Sequence, residues 1–285
     1  MTAIASALAI VFTVLACLLA LASLPVGLSV ALSFCIAWVE RANSDPEVAA
    51  ERRYLLAARL LLTECACLLL TLVLRPLGWL PARLAAAPAR RPPVLLLHGL
   101  FQNRSCLLPL AWRLRAAGFR HVVTINTPPW HDLEELTTRV ETAVKQLHAA
   151  SDGQRICLIG HSMGGLLACH YLQSRDGAPL VAHCVTLGTP HHGSKLAPLA
   201  VTRLGRSLHP GSALLARIHA APLPAGVGFT AIYSRHDNII VPMENARLDG
   251  AGNVELSGLG HTALLFSAQT AAAVVAALVP PLPSP

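Results

Sequence analysis

The sequence predicts an α/β fold: a mostly parallel sheet with helices on both faces, preceded by N-terminal transmembrane helices. Two observations predict it. From Val94 onward short apolar runs alternate with segments of helical periodicity, the pattern of strands and crossover helices. Before that, no acidic or basic side chain occurs ahead of Glu40. The chain has 285 residues, 54% hydrophobic and only 13% charged, so it can build one full core with a long apolar segment left over.

The run Thr2–Val39 is nearly twice the roughly 20 helical residues that one bilayer crossing requires. Pro25 and Gly27 interrupt it, which permits one long kinked helix or a pair turning at Leu24–Leu28. A second run covers about Leu55–Leu74 and contains Arg59 and Glu64. Arg59 can snorkel from near an end, whereas Glu64 requires a partner or a bundle-facing position. A cleaved signal peptide fits less well, because the basic n-region is missing and the run is too long. A buried helical domain is the other alternative. Arg41, Arg52 and Arg53 flank one side of the second run and Arg75, Arg83, Arg90 and Arg91 the other, so the charges leave its orientation open. The expected organisation is a membrane anchor over 1–80, a Pro/Ala/Arg-rich linker over 81–93, and a globular domain over 94–285.

Within that domain, strands are expected at Val94–His98, His121–Asn126, Arg155–Gly160, Val181–Leu187, Phe229–Ser234 and Asn253–Leu256. Helices are expected at Ser105–Ala117, Asp132–Ala150, Gly165–Ser174 and Thr262–Leu278. Asp132, Glu134 and Glu135 place acids in the first turn of the second of these, where the helix dipole favours them. The segment Pro190–Gly228 breaks the alternation and is expected to cap one end of the sheet. The net charge of +7 is spread over both parts of the chain without a dense basic stripe, so no nucleic-acid face is indicated. It suits an anionic membrane surface better. The eight cysteines fall in apolar runs, strands and a helix, as small buried hydrophobes do, and form no CxxC pattern.

Chemistry is carried by Gly160-His161-Ser162-Met163-Gly164, a G-x-S-x-G placed between an expected strand and an expected helix. Such a turn lifts the serine hydroxyl above the sheet, and its glycines let the backbone approach closely. A serine hydroxyl is a weak nucleophile until a base takes its proton. Asp237 and His261 follow two later strands and leave the same edge of the sheet as Ser162, in the order serine, acid, histidine. His261 would serve as general base and then acid, and Asp237 would fix its tautomer. A turn acid at Asp237 and a non-catalytic His261 are the plain alternatives; Asp249, in a Gly-rich turn, is the rival acid. Oxyanion donors are expected from the backbone N–H groups of Met163 and Leu100, with Phe101 next after Leu100. His191 and His192 lack metal-ligand spacing, and neither a metal nor a cofactor is implied.

His98-Gly99-Leu100, Gly160–Gly165, Thr186-Leu187-Gly188-Thr189-Pro190-His191-His192-Gly193-Ser194 and the Asp237 and His261 contexts together resemble bacterial triacylglycerol lipases and esterases of the α/β-hydrolase superfamily. The Thr-Pro-His-x-Gly-Ser element is the most lipase-like part. The resemblance spans roughly Pro93–Leu278 and implies an α/β-hydrolase fold, a Ser162–Asp237–His261 triad, and an oxyanion pair at Leu100 and Met163. His98-Gly99-Leu100 continues with Phe101-Gln102-Asn103 rather than a further glycine, a departure at the pocket wall. Combined with the anchor, it implies an ester hydrolase in a bacterial inner membrane with a lipid or other ester as substrate. A thioesterase or acyltransferase with the same triad, or a silent hydrolase-like interaction module, are the competing readings.

Overall fold

The computed structural model describes residues 2–44, 54–80 and 91–279. Most of the expected linker, at 81–90, lies outside the described residues, as do the flank 45–53 and the terminus 280–285.

Six strands form a single, wholly parallel sheet in the order β2-β1-β3-β4-β5-β6: β1 Val94–Leu97, β2 Val122–Ile125, β3 Ile156–His161, β4 Val181–Leu187, β5 Gly228–Ser234 and β6 Gly252–Leu256. Alternation along β1 explains how the sheet is covered twice. Leu95 and Leu97 pack on one face with α4 (Leu133–Ala149) and α5 (Met163–Ser174). Val94 and Leu96 pack on the other with α3 (Leu108–Ala116) and α9 (Ala268–Leu278). A strand buried on both sides must be apolar throughout, and Val94-Leu95-Leu96-Leu97 is fully buried. The strand order reverses between β1 and β3, so their C-terminal loops diverge and open the crevice in which ligands of such sheets bind.

Local signals set the helices. Asp132 caps α4: its carboxylate accepts from the Glu135 N–H at 2.8 Å, and Glu135 returns a bond to the Asp132 N–H. The expected closing helix Thr262–Leu278 is two helices, α8 (Ala263–Phe266) and α9. Ser267 breaks it by taking an extended conformation (ψ 133°) and capping Gln269 and Thr270 with its hydroxyl. Pro190–Gly228 carries a 3-10 turn at Ala197–Leu199 and two short helices, α6 (Arg203–Arg206) and α7 (Ala213–Ile218). All eight cysteines are free, with Cys157 and Cys184 buried in β3 and β4.

Of the two alternatives for the first apolar run, the continuous one is adopted: α1 (Thr2–Ser44) runs through Pro25. Proline removes a single ladder bond, and the apolar residues around it remain helical on both sides. A second helix, α2 (Tyr54–Leu74), packs against α1 and continues into a 3-10 turn, Arg75–Trp79. Ala16–Ser44 and Tyr54–Trp79 are each long and apolar enough to cross a membrane, with mean hydropathies of 2.1 and 2.0.

Candidate active site

The C-terminal ends of β1, β3, β4, β5 and β6 lie along one edge of the parallel sheet, and the loops that leave them carry the site. The β3–α5 junction is the sharp turn expected of the motif. Ser162 sits at φ 55° and ψ −125°, a region disfavoured for any side-chain-bearing residue. A side chain on Gly160 would overlap the Gly164 backbone, so the turn can close only with glycine there. The Ser162 N–H donates to Leu187 O at 2.9 Å, tying the turn to β4. Ser162 is 8% exposed.

The structure brings Asp237 and His261 together. His261 Nδ1 donates to Asp237 Oδ2 at 2.8 Å, and both side chains are buried. The other carboxylate oxygen, Oδ1, accepts from the Ile239 and Ile240 N–H groups at 2.8 and 2.9 Å, which fixes the plane of the acid. Gly188, at φ +50°, lies beneath the pair: a Cβ there would stand 3.0 Å from Asp237 Oδ2 and 3.3 Å from His261 Nδ1. Burial alone would lower the His261 pKa. The Asp237 carboxylate and its hydrogen bond, with a further contribution from Glu64, outweigh burial and raise it above the usual histidine value. Asp249, the rival acid, is 94% exposed and faces His192.

His161 connects the two halves of the site. Its ring packs on His261 with centroids 4.6 Å apart, and its Nε2 bonds to the His261 carbonyl at 3.1 Å. Burial holds the His161 pKa well below the ordinary value, so the ring is neutral, with its proton on Nε2. Among the described residues no hydrogen bond joins Ser162 Oγ to the His261 ring; the two are brought to the same edge and linked through His161.

The loop after β1 lies against the serine, since a Cβ on Gly99 would stand 2.8 Å from Ser162 Cβ. Leu100 follows Gly99 in this loop, and Met163 opens α5 directly after the serine. His98 braces this loop. Its Nε2 accepts from the Thr127 N–H at 2.9 Å, so its Nδ1 carries the proton and donates to Gly99 O at 2.7 Å. Burial takes its pKa down to about 4, keeping the ring neutral. The 3-10 turn following α2 reaches the same loop: Arg75 donates to Phe101 O, and Asn103 Nδ2 to Arg75 O.

The Thr186–Ser194 element proves to be a scaffold for the acid loop. Ser194 Oγ donates to Ile239 O at 2.5 Å and accepts from the Val241 N–H. His191 Nε2 bonds Thr186 Oγ1, and burial lowers its pKa to about 3. Among the described residues, no group of three or more His, Cys, Asp or Glu side chains could hold a metal.

Sequence reasoning did not find two residues behind the pair. Asn238 Oδ1 accepts from the His261 N–H at 3.0 Å. Glu64 of α2, flagged only as a carboxylate needing a partner, accepts from the Thr262 and Ala263 N–H groups. No local pattern marks Asn238; for Glu64 the signal was its charge in an apolar run.

Residues 94–236 match the family model described as "Alpha/beta hydrolase family". Triacylglycerol lipases of Pseudarthrobacter phenanthrenivorans and Burkholderia plantarii are each 44% identical over 54 residues, 19% of this chain. The match spans only 16% and 14% of the length of those relatives. Among solved structures, the mature Bacillus licheniformis lipase BlEst2 superposes with a TM-score of 0.58 at 19% identity, covering 71% of this chain and 99% of that one. Aspergillus fumigatus lipase B gives 0.62 at 22%, covering 70% and 55%. At these identities the likeness speaks for the fold.

Proposed function

The chain belongs to the alpha/beta hydrolase family, and we propose that it is a membrane-anchored serine hydrolase of carboxylic esters, preferring lipid-like ones. The observation that carries this reading is the buried Asp237–His261 pair at 2.8 Å beside the Ser162 turn. In the proposed reaction His261 Nε2 takes the Ser162 proton as Oγ attacks the ester carbonyl. Asp237 holds the proton on Nδ1 and offsets the imidazolium charge. The backbone N–H groups of Leu100 and Met163 face the tetrahedral oxygen. Collapse passes the proton from His261 to the departing alcohol and leaves an acyl-Ser162. Water, deprotonated by His261, then releases the acid and restores the serine.

The anchor assignment rests on the length and hydropathy of Ala16–Ser44 and Tyr54–Trp79. The preference for lipid-like esters rests on exposed apolar side chains around the site. Phe101 follows Leu100, Ile239 follows the Asp237–Asn238 pair, and Leu199 and Val201 lie in the 190–228 segment proposed as a cap. That segment borders the oxyanion loop, since a Cβ on Gly205 would touch Leu100 Cδ1 at 3.3 Å. The lipase name of the partial relatives points the same way.

The test is turnover of p-nitrophenyl esters of graded acyl length by detergent-solubilised wild-type protein and Ser162→Ala. Activity in wild type only, increasing toward long chains, is the expected result. Activity confined to short chains would replace the lipid preference with a small-pocket esterase. A folded wild type inert toward every ester but active on acyl thioesters would move the reading to a thioesterase.

A further inference from the structure

A carboxylate in the middle of an apolar helix is costly unless hydrogen bonds satisfy it. Glu64 is 1% exposed, halfway along α2, and its partners are not on α1. Its Oε1 accepts from the Thr262 N–H at 2.6 Å and its Oε2 from the Ala263 N–H at 3.0 Å. Those are the two residues that follow His261. The preceding N–H, that of His261 itself, donates to Asn238 Oδ1 at 3.0 Å. Asn238 is in turn oriented from α1, because its Nδ2 donates to Ser33 Oγ at 2.7 Å. Three consecutive main-chain N–H groups, starting at the histidine, are thus held by side chains that belong to, or bond to, the N-terminal helix pair.

We infer that Glu64 is a positioning residue for His261, so that the N-terminal helix pair completes the active site. This rests on the reading of His261 as the base. The ring itself is gripped at Nδ1 by Asp237 and packed against His161, but a ring can be aimed only as well as its main chain is fixed. Gly260, just before the histidine, leaves the space that Glu64 enters; any side chain there would collide with the carboxylate. Without Glu64, two buried N–H groups lose their acceptors, and the 261–263 turn must shift to find others. A displacement of about 1 Å at a catalytic group costs on the order of 100-fold in rate.

The experiment compares full-length wild type, Glu64→Ala, Glu64→Gln and Glu40→Gln in detergent. Glu40 also docks α1 on the domain, through an ion pair with the partly exposed Lys195 and with no bond to the 261–263 turn, and serves as the control for docking alone. The readouts are kcat and KM for p-nitrophenyl butyrate, and the low-field proton resonance of His261 Nδ1–H in histidine-labelled protein, identified by its loss in His261→Gln. We expect kcat of Glu64→Ala to fall about 10- to 100-fold with KM within about twofold, and the resonance to move or broaden. Glu64→Gln, which keeps one acceptor oxygen, falls in between, and Glu40→Gln matches wild type. An unchanged kcat and resonance in a folded Glu64→Ala protein would overturn the inference, even with a lowered Tm. Should Glu64→Ala not fold, the same comparison is decided on Glu64→Gln. A wild type that turns over no ester would refute the ester reading, while the resonance would still decide whether Glu64 positions His261.

Discussion

Replacing Asp237 with asparagine isolates the step on which the proposed mechanism turns. Asp237 Oδ1 accepts from two backbone N–H groups, at 2.8 and 2.9 Å, and Oδ2 accepts from His261 Nδ1 at 2.8 Å. An asparagine has one acceptor oxygen and one donor NH2. Placing the NH2 toward Ile239 and Ile240 would set a donor against two buried donors, so the oxygen stays there and the NH2 faces His261. Nδ1 must then accept, which moves the imidazole proton to Nε2, the atom that has to receive the serine proton. Geometry survives while the base is lost. The expected loss in kcat is about 10⁴-fold, the size found for the corresponding change in a serine-protease triad. That ratio is about 5.5 kcal/mol of transition-state stabilisation. Steady-state hydrolysis of p-nitrophenyl butyrate measures it, with circular dichroism and Tm to show that the fold persists. A variant retaining more than about a tenth of wild-type kcat would refute the tautomer argument.

Other perturbations follow from the same structure. Because His261 is raised above its usual pKa and must be neutral to act, kcat/KM should fall as pH drops through a midpoint above about 6.5, and a midpoint below that value would contradict the assignment. The matching contribution to stability has the opposite sense: it is fully present below the unfolded-state pKa and is lost as pH rises through the folded one, which pH-dependent Tm would register. Gly188→Ala would force a Cβ to 2.9 Å from Leu264 and 3.0 Å from Asp237 at a positive φ. It should cost about 1–3 kcal/mol of stability and depress kcat, whereas a stable, fully active variant would show that the acid can move aside. Asp132→Ala removes the cap of α4, where the carboxylate bonds only the Glu135 N–H; it should lower stability by about 1 kcal/mol with kcat unchanged, as denaturant titration and turnover would show.

What could be read from the sequence was local or periodic. β4 spans Val181–Leu187 as expected, because a mainly apolar run rich in β-branched residues has clear ends. The Ser162 turn was legible because glycine, serine and glycine stand between a strand and a helix. Asp237 and His261 were legible because each follows a strand on the edge that also carries Ser162. The break at Ser267 was missed, since apolar, helix-compatible sequence stands on either side and only the Ser267 hydroxyl, capping two N–H groups, tips the balance. The role of Glu64 was out of reach for a different reason. Helical spacing shows that a carboxylate sits on an apolar helix, but the face of α2 that docks, and the loop it meets 198 residues later, depend on tertiary packing.

The most direct test of the central claim is covalent. Purified full-length protein is treated with a fluorophosphonate, digested, and the adduct located by peptide mass spectrometry. Stoichiometric modification of Ser162, with loss of esterase activity in proportion to labelling and no reaction in His261→Gln, is the result expected. Modification elsewhere, or an unlabelled Ser162 in protein that still hydrolyses esters, would contradict it.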